Sequence, residues 1–153
     1  MITYESEVVV GRPPRDVWPY LVERDKQALW SDVPMEPLTE GPMQAGSRMR
    51  LRFGAGPLHV SITLEMTVVD PAEGMAFTTV SQGGIQWDGE YRLALAENIG
   101  TRLSQHGTIR FSGLWRLVEP IVGAEIRRGE IAELEKLKAV LEGTAKEPEP
   151  DSV

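Results

Sequence analysis

Arg48-Met49-Arg50-Leu51-Arg52-Phe53 sets arginine against an apolar residue three times in succession. Successive side chains of a strand point to opposite faces, so this stretch puts a charged row on one side of a sheet. Met49, Leu51 and Phe53 fall on the other. The same alternation predicts strands over residues 33–39, 47–53, 58–69, 75–81, 85–96 and 101–111. Turn chemistry separates them at Gly41-Pro42, Gly54-Ala55-Gly56-Pro57, Asp70-Pro71, Gly83-Gly84 and Asn98-Ile99-Gly100. Connections this short make neighbouring strands antiparallel hairpins. A sheet with one apolar face must bury it, and only one element in the chain is large enough to cover it.

That element is the amphipathic stretch from about Gly113 to Glu142. Its apolar positions are Leu114, Leu117, Val118 and Ile121 early, then Ile131, Leu134, Leu137 and Leu141. Pro120, Gly123 and Gly129 argue against a uniform straight helix. Before the meander, residues 2–10 read as a first strand. Pro13-Pro14 opens a short helix with Val17, Trp18, Leu21 and Val22 on one side, which Pro19 should keep brief or bent. A second helical turn is expected over residues 24–28, ahead of Trp30. Residues 144–153 are polar, acidic and proline-containing, and read as a disordered tail after one domain over residues 1–143.

Composition removes several function classes. The chain has 153 residues, no cysteine and a net charge of −7. Disulfides, thiolate metal sites and cysteine nucleophiles are excluded, and the acidic balance argues against a nucleic-acid partner. No apolar run approaches the ~20 residues of a membrane span, and the first ten residues lack a signal-peptide pattern. A cytoplasmic setting is the expectation. Only His59 and His106 are available as imidazole ligands, and both fall on the outer parity, so neither a metal nor a cofactor is expected. Gly54-Ala55-Gly56 lacks the third glycine and following helix of a dinucleotide loop and reads as a hairpin turn.

The order of one strand, two short helices, six antiparallel strands and a long C-terminal helix resembles the START/Bet v 1-like (SRPBCC) helix-grip superfamily. The likeness is greatest to its bacterial polyketide cyclase/dehydrase-type members. It is carried by residues 14–21, the Trp30-Ser31-Asp32 step, Gly46-Ser47-Arg48, Gly100-Thr101-Arg102-Leu103 and residues 134–142. It implies an α+β helix-grip fold, a seven-stranded antiparallel sheet curved around the terminal helix. It also implies an internal apolar cavity, entered from the end that carries the 54–57, 82–84 and 112–113 turns.

Parity assigns the walls of such a cavity. Met49, Leu51, Phe53, Leu64, Phe77, Trp87 and Tyr91 face inward, with Trp30 and Trp115 at the rim and Gln105 as a further inner polar group. The carboxylates read as outer strand positions, loops and helix surface. No residues stand out as catalytic. The leading expectation is binding of a hydrophobic small molecule: a lipid, an aromatic metabolite or a polyketide-like compound. Two alternatives stand beside it. One is an aromatase/cyclase-like enzyme in which Tyr91 or Gln105 polarises a carbonyl, and the other is a protein-interaction module with a filled core.

Overall fold

The computed structural model describes residues 1–31, 35–55, 57–81, 83–97 and 100–143, apart from the side chains of residues 53–55, 58 and 59. The elements in chain order are β1 (Ile2–Val10), α1 (Pro14–Val22), α2 (Arg24–Gln27), β2 (Glu36–Pro37) and β3 (Arg48–Ala55). There follow β4 (Leu58–Asp70), β5 (Gly74–Thr79), β6 (Ile85–Leu95), β7 (Thr101–Phe111), a 3-10 turn (Gly113–Leu117) and α3 (Glu119–Leu141). One seven-stranded antiparallel sheet runs β1-β7-β6-β5-β4-β3-β2. Strands β2 to β7 are neighbours in both sequence and space, and β1 closes beside β7.

The registers follow from the alternation. Met49 lies opposite Leu64 and Leu51 opposite Ile62, and all four are buried. On the other face Arg48 and Arg52 are exposed and Arg50 is half-buried. Arg48 Nε donates to Glu65 Oε1 at 3.3 Å across the β3–β4 pair. Both partners are solvated, so the bridge is worth about 1 kcal/mol or less. His106 is exposed on β7, and the side chains of His59 and Phe53 lie outside the described residues.

Two elements depart from expectation. The strand expected over residues 33–39 is found as the two paired residues Glu36 and Pro37, with residues 32–34 outside the described residues. Pro37 has no N–H to give, which suits it to the sheet edge it occupies. The start of the terminal helix is also rotated relative to its reading from sequence. Leu114, Leu117 and Ile121 are 84%, 78% and 61% exposed, while Val122, Gly123 and Ile126 are buried. The cause is the 3-10 turn, whose three residues per turn throw the apolar stripe out of phase with the α-helix that follows. At Gly123 α3 approaches β1 closely, and a Cβ there would come within 2.5 Å of Ile2 Cγ1. Beyond it the buried stripe runs through Leu134, Leu137, Val140 and Leu141. The 144–153 tail lies outside the described residues.

Candidate functional site

The inward stripe of α3 continues Val122, Ile126, Glu130, Leu134 in steps of four, so the helix period carries a carboxylate to the position where a leucine would complete the core. Tyr91 and Trp87 on β6 share one strand face and meet Glu130 from the sheet side, with Phe77 of β5, Leu51 of β3 and Leu64 of β4 beside them. Gln27 of α2 and the following Trp30, Ser31 and Met35 close the third side, and Glu133, one turn on from Glu130, completes the wall. These side chains line a cavity of about 30 Å³. That is room for two or three water molecules at about 10–15 Å³ each.

Polar groups around the cavity are tied into a network. The Tyr91 hydroxyl donates to Glu130 Oε2 at 3.4 Å, and Ser31 Oγ donates to Glu133 Oε2 at 3.3 Å. Trp87 Nε1 donates to the Tyr4 hydroxyl at 2.9 Å, and Trp30 Nε1 to the Tyr20 carbonyl at 2.8 Å. Aromatic rings meet edge to face: Trp30 on Tyr91 at 6.3 Å and Phe77 on Trp87 at 6.1 Å between centroids. Gln105 Nε2 donates both to the Glu130 carbonyl and to Ser6 Oγ, each at 2.8 Å. Gln105 therefore has no amide hydrogen left to polarise a substrate carbonyl. It ties α3 to β1.

Electrostatics single out Glu130. The residue is half-buried as a whole, but protein packs almost all round its carboxyl group. Burial, reinforced by the nearby Glu133 charge and opposed by the Tyr91 hydrogen bond, lifts its pKa from 4.5 to about 8. Tyr91 and Tyr4 are held well above the ordinary tyrosine value, chiefly by burial and then by the charge of Glu130. A carboxyl group protonated near neutral pH is a hydrogen-bond donor inside an apolar wall.

The structure brings Trp30, Leu51, Leu64, Phe77, Trp87 and Tyr91 together around this cavity. Met49 is buried beside a different space. This is a groove of about 430 Å³ bordered by Trp18 and Val22 of α1, the 23–25 segment, Pro37 and residues 41–43. It lies at the 41–46 end of the meander, opposite the end expected for the mouth. Trp115 is half-buried against the 83–84 turn, where a Cβ on Gly84 would stand 2.0 Å from its Cδ1. It does not line this cavity. Glu130 and Glu133 correct the assignment of helix carboxylates to the surface. The step-of-four pattern on α3 was the available signal for Glu130. Tyr4 was also missed, although Tyr4, Val8 and Val10 share the buried parity of β1.

Among the described residues, no group of three or more His, Asp or Glu is placed to hold a metal ion. None of their helices is long and apolar enough to cross a membrane. Residues 1–142 match the family model described as polyketide cyclase / dehydrase and lipid transport. The chain belongs to that family. No curated protein matches this polyketide cyclase/dehydrase family member in sequence. Its fold is shared with the Zhui aromatase/cyclase from Streptomyces sp. R1128, at 20% identity and TM-score 0.74 over 94% of this chain and 95% of that one. TTHA0849 from Thermus thermophilus is similar at 18% identity and TM-score 0.71, over 94% and 99% of the two chains. Ara h 8.0201 is similar at 16% and 0.66, over 91% and 96%. Together with the family match, these likenesses put the family member in the START/Bet v 1-like (SRPBCC) helix-grip superfamily.

Proposed function

We propose that this family member binds a hydrophobic small molecule of aromatic or polyketide-like type, with the ligand's polar end at Glu130 and Tyr91. The observation that carries this reading is the placing of Glu130. A leucine there would complete the apolar stripe, whereas a carboxyl group incurs a desolvation cost. Met35, beside the cavity, is an adaptable side chain that can give way to a ligand larger than the space itself.

The test is titration with a neutral apolar fluorophore such as N-phenyl-1-naphthylamine at constant ionic strength. Saturable binding is expected. Tyr91→Phe should weaken it by about 0.5–1.5 kcal/mol, the worth of one hydrogen bond, with little change in volume. A folded protein that binds no apolar probe would favour the filled-core interaction module instead.

A second reading has an observation of its own. A carboxyl group with a pKa near 8 in hydrogen-bond contact with a phenol is matched to proton transfer at neutral pH. Glu130 would then protonate or deprotonate a bound carbonyl compound, as an aromatase/cyclase-like reaction requires. Loss of turnover in Glu130→Gln, with ligand binding retained, would distinguish this from simple carriage.

A further inference from the structure

The cavity and the groove are not independent. Gln27 and Met35 line both, and they are joined to each other by the Met35 N–H, which donates to Gln27 Oε1 at 3.1 Å. One pair of side chains therefore forms the partition between an inner polar chamber and an outer groove of about 430 Å³. Only the outer space lies in the few-hundred-Å³ range of small-molecule sites. Trp18, Val22, Met43 and Met49 give it apolar walls suited to a flat ring system.

The chemistry of the inner chamber is one-sided. It carries the Glu130 and Glu133 carboxyl groups and the Tyr91 phenol, and no lysine, arginine or histidine lines it among the described residues. The Ser31 and Tyr91 hydroxyls already donate to the carboxylates. Chamber and groove are also acidic together, since Glu23 and Asp25 outweigh Arg24 at the groove. Trp30, Trp87 and Tyr91 also line the chamber, and an aromatic ring attracts a cation placed over its face.

We propose that the groove between α1–α2 and the β2–β3 connection holds the apolar body of the ligand, and that a protonated amine on that ligand passes Gln27 and Met35 to sit between Glu130, Glu133 and the aromatic walls. This rests on the ligand-binding reading above and narrows it to aromatic amines. Among the described residues, the groups facing Glu130 are Glu133 on its own helix and the phenols of Tyr91 from β6 and Tyr4 from β1. Glu133 holds it in the neutral form, both phenols stay uncharged, and the Tyr91 hydrogen bond favours the carboxylate only in part, so an arriving cation is what completes its ionisation. Amine binding at neutral pH therefore releases the Glu130 proton to solvent, and affinity rises between pH 6 and 8 while the amine stays charged.

Three naphthalene probes of one shape test this: 2-naphthylmethylamine, 2-naphthylmethanol and 2-naphthoic acid, titrated calorimetrically at pH 7 in two buffers of different ionisation enthalpy. The expected result is that the amine binds at least tenfold more tightly than the alcohol and the acid most weakly, with buffer-dependent heat reporting proton release for the amine alone. Glu133→Gln should collapse the amine-to-alcohol ratio. If that variant does not fold, Glu130→Gln should abolish the proton release. Alcohol and amine binding equally, the acid binding best, or a ratio unchanged in Glu133→Gln would overturn the amine assignment and leave the ligand-binding reading standing. No binding by any of the three would overturn both.

Discussion

Glu130 makes the stability of this protein depend on pH in a direction opposite to that of most carboxylates. Its pKa is raised from 4.5 in the unfolded chain to about 8 in the folded one. Between those values the folded state keeps a proton that the unfolded state has released, so stability falls as pH rises. Every pH unit separating the two values is worth about 1.4 kcal/mol, which sets a ceiling of about 5 kcal/mol on the whole effect. By pH 7 roughly 3 kcal/mol of it has been lost, and the loss levels off above about pH 9. Glu130→Gln keeps the size and the polar contact to Tyr91 but cannot ionise. Urea unfolding at pH 5.5 and pH 8 should show wild type losing about 3 kcal/mol at the higher pH relative to the variant, with matching m-values. Comparing the two proteins at each pH removes the titrations they share. Equal pH slopes in wild type and variant, or a wild type that gains on the variant at pH 8, would refute the buried-acid argument.

Two further predictions test the packing. Gly123→Ala should gain about 1 kcal/mol of helix propensity yet destabilise the protein overall by about 1–3 kcal/mol, because the new Cβ meets Ile2 at 2.5 Å; a raised thermal midpoint would contradict the close approach of α3 to β1. Leu117→Ser should change stability by about 0.5 kcal/mol or less, since Leu117 is 78% exposed; a loss of several kcal/mol in urea unfolding would return it to the core and overturn the rotated helix start.

The sheet was legible because period-two alternation is a local signal. Arg48, Met49, Arg50 and Leu51 declare their faces without reference to anything distant, and the cross-strand registers then follow from the turns. The helix was less so. Leu114, Leu117 and Ile121 carry the right composition for a core stripe, but a 3-10 turn changes the phase, and that turn leaves little trace in residue types. Glu130 was hidden for another reason. A charged residue on a helix is usually solvated, and only the unbroken spacing Val122, Ile126, Glu130, Leu134 argues otherwise. The second wall of the site was legible in Trp87 and Tyr91, two turns of the pleat apart on one strand. Gln105 was rightly placed inside, but its partners lie on β1 and α3, far away in sequence, so its structural role could not be read locally.

The most direct measurement is a carbon-13 NMR titration of the Glu130 side-chain carboxyl, assigned by its loss in Glu130→Gln and followed from pH 4 to 10 with and without a saturating apolar probe. The buried-site account predicts a midpoint of about 8 in the free protein, displaced when the probe is bound. A midpoint near the unperturbed glutamate value of about 4.3, unmoved by a probe that demonstrably binds, would contradict it.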